Sequence, residues 1–275
     1  MRNSNGPAVL IQHNRNNIPA NVEMYSANEG FRYLGFGTIP FVTEADLDKH
    51  LDHGNHIVVG GIDEIEHCAE KLGIQLPDLS YPEGLRIYLG RPVKQTTLDS
   101  VIFDEDDNYP IFVKPVRGKR FTGTVLRYYG DYLQRHRSCR AKEPVWTSPV
   151  VDFAAEYRVF VRYGQILDVR RYDGRWDLLC SSRTIERAVE DYSGSPDAPA
   201  AYAIDFGVVT GPIVDLTLLV EVNDGYSVGS YGLDDRSYAK FLSARWCELC
   251  GIDDPCCSDG TNTRWFNRDV NERNK

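Results

Sequence analysis

The sequence predicts a fold that joins a small α/β lobe to a larger α+β part, and three observations lead to this class. The first 90 of the 275 residues alternate short apolar strands with helices, which is typical of a lobe with a mostly parallel sheet. From about residue 91, a short helix and two strands flank a loop that contains glycine and lysine. After residue 149, longer strands follow one another as hairpins, which predicts an antiparallel sheet. The predicted boundaries are 1–90, 91–149 and 150–257, followed by a polar tail at 258–275.

Composition and charge limit the possible classes of function. Hydrophobic residues make up 42% of the chain and charged residues 26%, values that are typical of soluble globular proteins. No apolar run approaches the roughly 20 residues of a membrane span, and the N-terminus lacks the apolar core of a signal peptide. The net charge of −9 argues against a protein that binds nucleic acid through its phosphates. We therefore expect a cytoplasmic protein with no nucleic-acid or membrane partner, in an oligomeric state that the sequence leaves open.

The elements of the first lobe are predicted from periodicity and caps. Thr43 and Asp46 form the spacing of a helix N-terminal cap, and Gly73 is placed to end a helix. The predicted strands are "AVLIQ" (8–12), "IPFV" (39–42) and "HIVVGG"; the predicted helices are "TEADLDKHL" and "IDEIEHCAEKLG".

The rest of the chain is predicted to be mainly strand. One hairpin should turn at Tyr163 and Gly164, and another near Gly211. A helical pattern of apolar residues runs from Tyr238 to Leu249. The other predicted elements are a short helix at 95–101 and the strands "PIFVKP", "TVLRYY" and "PVVDF".

The seven cysteines are an odd number, which fits a reducing compartment better than a disulfide framework. Four of them lie close together in the sequence and could surround a zinc ion. Two of the four also fall in the predicted C-terminal helix, where they are as easily core residues. Both interpretations stay open; the four residues are Cys247, Cys250, Cys256 and Cys257.

Charged side chains inside apolar strands indicate a site. Glu221 lies in "LTLLVEVN" and Asp205 in "YAIDFGV", and burial of an unpaired carboxylate is costly. Alternate residues of a strand share a face, so Asn223 points the same way as Glu221. If the two strands pair antiparallel, the three side chains form an all-oxygen cluster that suits Mg²⁺.

Cationic side chains precede this cluster in the sequence. Arg158 shares a strand face with Glu156, and Arg170 or Arg171 returns on the partner strand of the predicted hairpin. Lys114 ends an apolar strand where it could meet a phosphate. Arginine and lysine near a magnesium cluster are typical of sites that handle phosphoryl groups.

The order "FVKP", "PVVDF", "EYRVFV", "AIDFG" and "VEVN" resembles the motif order of ATP-grasp ligases, from about Arg91 to Leu249. The resemblance is closest to the compact, often stand-alone clade marked by one arginine and two lysines. It implies an ATP-grasp fold in which a preATP-grasp-like α/β lobe is followed by a small lid lobe and a C-terminal antiparallel-sheet lobe.

The resemblance also implies roles for nucleotide-binding residues. Lys114 matches the lysine that contacts the α- and β-phosphates, and Lys94 matches an earlier lysine, with the nearby Arg91 as an alternative. Lys119 lies in the loop that matches the mobile cover and would reach the γ-phosphate. The "PVVDF" segment resembles the hinge beside adenine. Glu156 is also predicted to be a nucleotide-binding residue. The hinge residues are Val150 and Val151, through backbone groups, and Asp152, near the ribose.

The remaining implied roles concern the reacting groups. Arg158 and Arg170 match positions that hold the acyl phosphate or the γ-phosphate, and Asp205, Glu221 and Asn223 match the metal ligands. The implied cofactors are ATP and Mg²⁺.

The resemblance implies an ADP-forming carboxylate–amine ligase that acts on an amino acid or peptide through an acyl phosphate. Two alternatives are phosphoryl transfer to a small molecule and an ATP-binding protein without turnover. If Asp205 and Glu221 are metal ligands, they should repel each other in the metal-free protein, so neutralising either should not lower its stability.

Overall fold

The computed structural model describes residues 8–51, 56–102, 109–116, 121–128, 131 and 142–257. The predicted tail at 258–275 and Lys119 lie outside these residues. Three sheets organise the described chain: one parallel and two antiparallel, in the order in which they were predicted. No helix among the described residues is long and apolar enough to cross a membrane.

The first lobe is built on a parallel sheet of three strands in the order β2-β1-β3. The predicted cap of the second helix is present, because the Thr43 hydroxyl accepts from the Asp46 backbone N–H and donates to its carboxylate. Gly73 ends the third helix in the left-handed region at φ 68°. The elements are β1 (Val9–Gln12), α1 (Val22–Tyr33), β2 (Thr38–Phe41), α2 (Glu44–Leu51), β3 (Ile57–Val59) and α3 (Ile62–Leu72).

The first helix, α1, was not predicted. Its mixed sequence "VEMYSANEGFRY" gives a weak apolar stripe, and its start depends on Asn21, whose side chain accepts from the backbone N–H of Met24 at 2.9 Å. Packing explains the helix: it lies against the last helix of the chain, where a Cβ at Gly30 would meet the backbone oxygen of Asp235 at 1.9 Å.

The second sheet is antiparallel, in the order β4-β7-β5-β6. The predicted helix at 95–101 was wrong in its first half, because residues 94–97 pair with β7 and the helix begins only at Leu98. Pairing with a neighbouring strand overrides the local preference there. The elements are a 3₁₀ helix (Glu83–Tyr88), β4 (Lys94–Thr97), α4 (Leu98–Ile102), β5 (Ile111–Pro115), β6 (Thr124–Leu126) and β7 (Pro144–Pro149).

The predicted strand "PVVDF" was wrong. Strand β7 ends at Pro149, and residues 150–154 are not in a strand. The strand lies one segment earlier, with its two prolines at the first and last positions, where proline is tolerated better than in a strand interior.

The third sheet is antiparallel in the order β11-β10-β8-β9, and both predicted hairpins are present. Tyr163 and Gly164 turn the first hairpin with positive φ angles of 51° and 75°, as a two-residue turn of this hand requires. The helix at Ser182–Ser193 was not predicted. The elements are β8 (Ala155–Arg162), β9 (Gln165–Gly174), α5 (Ser182–Ser193), β10 (Ala201–Val209), β11 (Leu216–Asp224) and α6 (Asp235–Cys250).

One hydrophobic core joins the parallel sheet to the third sheet, and Cys247 is fully buried in it. A smaller core of its own supports the second sheet. The described residues contain no group of three or more His, Cys, Asp or Glu side chains placed to share a metal ion. The four C-terminal cysteines are therefore not arranged as zinc ligands.

A buried ion pair links α6 to the end of β11. Arg245 is 5% exposed, contacts both carboxylate oxygens of Asp224, and reaches Glu248 at 2.8 Å. Because the desolvation of these charges is offset only by their pairing, loss of one partner leaves an uncompensated buried charge.

We predict that Arg245→Met lowers the free energy of unfolding by roughly 3–5 kcal/mol, because Asp224 is left without its cation. Arg236→Met on the same helix is the control: Arg236 is 56% exposed, and its loss should cost less than about 1 kcal/mol. Urea unfolding monitored by circular dichroism measures both. Equal stability of the two variants would contradict a structural role for the Arg245 pair.

Candidate active site

A cleft of about 740 Å³ lies between the second and third sheets. Its walls come from β5, from the segment after β7, and from β8, β9 and β11, and one side is closed by the connector that follows α3. Both sheets and the connector therefore contribute to it. Its charged and amide side chains include Arg91, Lys114, Glu156, Glu221 and Asn223.

An ion pair crosses the cleft from sheet to sheet. The Lys114 ammonium on β5 lies 2.5 Å from a carboxylate oxygen of Glu221 on β11, and it donates to the Ser80 hydroxyl at 3.2 Å. Burial alone would lower the pKa of Lys114, but Glu221 raises it above its ordinary value. Burial alone would raise the pKa of Glu221, but Lys114 holds it below 4.5. Both groups are therefore charged.

A second ion pair lies beside the first. Asp205 on β10 stands opposite Glu221 on β11 and opposite Arg158 on β8, as the ladder register requires. The guanidinium of Arg158 donates to both oxygens of Asp205, at 2.8 and 2.6 Å, and the amide of Asn223 donates to one of them at 3.0 Å. The structure thus brings the predicted oxygen cluster together.

Asp205 is more deeply buried than Glu221 and Asn223, the other two predicted metal ligands. Its side chain is 3% exposed and does not line the cleft, whereas Glu221 is 25% exposed and does. Burial raises the pKa of Asp205 to about 6, although Arg158 opposes this shift. Glu221 also raises the pKa of Asp205, so the expected repulsion between the two carboxylates is present. Each carboxylate is nevertheless paired with a cation, so neutralising either one would leave Arg158 or Lys114 without its partner.

Two tyrosines cover the second ion pair. The rings of Tyr172 and Tyr231 are stacked with their centroids 4.8 Å apart, and Arg158 lies 4.9 Å from the Tyr231 centroid. The Tyr172 hydroxyl donates to Glu156 at 2.6 Å. Glu156, predicted as a nucleotide-binding residue, lies in the cleft wall.

Arg91, the alternative to Lys94 in the sequence, is the residue of the two that lies at the cleft. It lines the cleft and donates to the backbone oxygens of Leu219 and Val220 at 2.7 and 3.0 Å, so it fixes β11 against the connector. The segment "GRPVK" contains both Arg91 and Lys94, and the sequence analysis assigned the role in nucleotide binding to Lys94. Lys94 lies opposite Thr147 on β7, and Lys114 lies opposite the adjacent residue of that strand. Because successive residues of a strand face opposite sides of a sheet, Lys94 and Lys114 lie on opposite faces. It lines a separate cavity of about 490 Å³.

The other predicted residues divide between the cleft and its surroundings. Val150 and Val151 line the cleft, but Asp152 is exposed and does not. Arg170 pairs with Asp168 on its own strand at 2.6 Å and is not part of the cleft wall.

The residues present fit a magnesium ion and a phosphate chain. Glu221 and Asn223 supply carboxylate and amide oxygens to the cleft, which are ligands that Mg²⁺ prefers. Lys114 and Arg91 supply donors for phosphate oxygens next to them. Bound Mg²⁺ would neutralise charge that develops on the phosphoryl group.

Comparison with known proteins identifies the class to which this fold and site belong. A model of the family described as "ATP-grasp domain, R2K clade family 2" matches residues 88–241, more than half of the chain. The chain belongs to this family. The fold class and the family resemblance predicted from sequence are confirmed. The protein is an ATP-grasp ligase that uses ATP and Mg²⁺.

Several solved ATP-grasp structures share the fold at low sequence identity. D-cycloserine synthetase DcsG is 13% identical, with a TM-score of 0.55 over 88% of this chain and 99% of that one. The D-alanine–D-alanine ligase of Bacillus anthracis, complexed with ATP, is 13% identical, with a TM-score of 0.52 over 86% and 94%. The L-amino acid ligase of Bacillus licheniformis is 11% identical, with a TM-score of 0.53 over 89% and 75%. A comparison with curated protein sequences gives no significant match.

We predict that Glu221→Gln destabilises the ligand-free protein by roughly 1–3 kcal/mol at pH 7, because Lys114 loses its partner. The pKa of Glu221 is depressed in the folded state, so its stabilisation is complete above about pH 4.5 and is lost as pH falls through the folded pKa. The difference between wild type and variant should therefore shrink below pH 4.5.

Urea unfolding at a series of pH values measures this difference. Glu186→Gln, at an exposed position on α5, serves as the control and should change stability by less than about 0.5 kcal/mol. A variant as stable as wild type at pH 7 would show that the Lys114–Glu221 pair contributes nothing to the ligand-free fold.

Proposed function

We propose that the protein joins a carboxylate to an amine, with ATP converted to ADP and phosphate. The observation that carries the proposal is the pairing of Lys114 with Glu221 at the wall of a cleft large enough for a nucleotide, with the Arg158–Asp205 pair buried beside it. A carboxylate is a poor electrophile, so it needs activation before an amine can attack it. A phosphoryl group supplies a better leaving group.

The proposed reaction balances in two steps. In the first, an oxygen of the substrate carboxylate forms a bond to the terminal phosphorus of ATP, the bond from that phosphorus to the bridging oxygen breaks, and ADP leaves. In the second, the amine nitrogen forms a bond to the acyl carbon, the bond from that carbon to the phosphate oxygen breaks, and phosphate leaves. The amine loses a proton to solvent.

The residues of the cleft supply what these steps need. When the phosphates occupy the cleft, Lys114 can move from Glu221 to a phosphate oxygen, since its ammonium is a flexible point charge. Glu221 is then free to hold Mg²⁺ with Asn223. Arg158 is poised beside them, and its planar guanidinium suits two oxygens of a phosphoryl group.

No protein nucleophile is needed for this reaction. Burial raises the pKa of Cys180 to about 12 and that of Cys256 to about 11, so both thiols stay protonated and are weak nucleophiles. Neither residue lines the cleft. This agrees with direct transfer between substrates.

Two of the similar structures support a small amino-containing substrate. One is an L-amino acid ligase and another a D-alanine–D-alanine ligase. We therefore propose an amino acid or a peptide as the substrate class.

Hydroxylamine tests the first step. With ATP, Mg²⁺ and a pool of amino acids, we expect hydroxylamine to trap the activated carboxylate as a hydroxamate, with one ADP formed per hydroxamate. Glu221→Gln should lower the rate by about a hundredfold or more, because it removes a metal ligand. Glu186→Gln should be as active as wild type.

The nucleotide product separates the alternatives. Release of AMP and pyrophosphate would show adenylation and would contradict the proposal. ADP with a stable phosphorylated product and no hydroxamate would show phosphotransfer to a small molecule. Mg²⁺–ATP binding without any product across the pool would show a binding protein without turnover.

A further inference from the structure

A second cavity of about 280 Å³ lies beside the nucleotide cleft. We name it the Glu23 pocket; it is enclosed by α1, the beginning of α3, the loop after β11, and α6. It shares Ile62 and Tyr226 with the cleft, so the two cavities adjoin at these residues. Its defining side chains are Glu23, Met24, Val59, Ile62, Tyr226 and Trp246.

The walls of the Glu23 pocket are mainly apolar. Met24, Val59 and Trp246 are each less than 5% exposed and present only small surfaces to the cavity. The polar groups around them are already paired. The Trp246 indole donates to the backbone oxygen of His56 at 2.7 Å, and the Tyr238 hydroxyl donates to that of Val228 at 2.6 Å. The walls therefore favour a small apolar group.

Glu23 is the charged side chain of this pocket. It is half-buried in the first turn of α1, and it forms no hydrogen bond or ion pair with any residue that the structure describes. The side chain of its neighbour Asn21 caps the helix instead. The lining includes no lysine or arginine. A half-buried carboxylate without a protein cation favours a ligand that brings its own.

We propose that the Glu23 pocket holds the ammonium group and the small apolar side chain of an amino acid whose carboxylate is the one activated, an inference that rests on the proposed ligase reaction. The volume is slightly below that of drug-sized ligand pockets, which suits one amino acid. Its carboxylate would extend past Tyr226 to the side of the cleft where Asn223 and Glu221 lie.

The charge of Glu23 determines whether the pocket binds the substrate that supplies the carboxylate or the one that supplies the attacking amine. A carboxylate partner stabilises the protonated form of an amine and raises its pKa. An ammonium group has no lone pair for attack, so the amine held by Glu23 is not the one that forms the new bond. The pocket therefore holds the donor of the carboxylate, and the attacking amine enters from the open side of the cleft.

Titration without ATP tests the pocket separately from the reaction. The probes are alanine and valine, each as both enantiomers, and N-acetylvaline, with binding followed by saturation-transfer NMR. We expect at least one free amino acid to bind wild type and N-acetylvaline to bind about tenfold or more weakly, because acetylation removes the charge.

Two variants complete the test. Glu23→Gln keeps the size of the side chain and should weaken binding of the free amino acid by about tenfold. Glu29→Gln, on the same helix but outside the pocket lining, should bind like wild type. The comparison of acetylated and free probes uses wild type alone, so it stands even if Glu23→Gln folds poorly.

The outcomes separate this inference from the proposed reaction. No binding of any free amino acid, equal binding of N-acetylvaline, or full binding by a folded Glu23→Gln variant would overturn the pocket assignment, even if hydroxamate forms. Glu23-dependent binding without ADP formation would support the pocket and contradict the ligase reaction.

Discussion

The ion pair between Lys114 and Glu221 is the contact on which the site depends. The two residues belong to different sheets, and each lies where a lone charge would be costly to bury. Their pairing allows the wall of the cleft to keep both charges while the cleft is empty of phosphate. The same contact joins β5 of the second sheet to β11 of the third.

The neighbouring pair of Arg158 and Asp205 repeats this arrangement one layer deeper. Each carboxylate of the predicted metal site is thus held by a cation that is suited to bind phosphate. Binding of the magnesium nucleotide is then an exchange of partners: the carboxylates pass from protein cations to the metal, and the cations pass to phosphate oxygens. An exchange of this kind leaves no buried charge unpaired at either end.

Much of this site was predictable because strands alternate. Glu221 and Asn223 interrupt an apolar run at a spacing of two, and Asp205 interrupts its neighbour, so burial and charge conflict visibly in the sequence. Lys114 and Arg158 were predicted as site residues, but their pairing with Glu221 and Asp205 was not, because it depends on contacts between distant strands. The choice of Lys94 over Arg91 failed for a related reason, since only the pairing with β7 decides which face a side chain of β4 occupies.

In the fold, too, features set by local sequence were predicted, and features set by contacts between distant segments were not. Hairpins were predicted from turn residues such as Tyr163 and Gly164, whose conformation is local. Helix α1 was missed because packing against α6 stabilises it more than its own pattern does. The sequence pattern of residues 94–97 fits both a helix and a strand, and these residues form a strand because they pair with β7.

A crystal structure of the protein with Mg²⁺ and a non-hydrolysable ATP analogue tests the exchange of partners most directly. The account predicts a metal ion about 2.0–2.1 Å from oxygens of Glu221 and Asn223, with the Lys114 ammonium on a phosphate oxygen. It also predicts that the 2.5 Å contact between Lys114 and Glu221 is open in that structure. A nucleotide bound with that contact still closed and no metal on Glu221, or one bound outside the cleft, would contradict it.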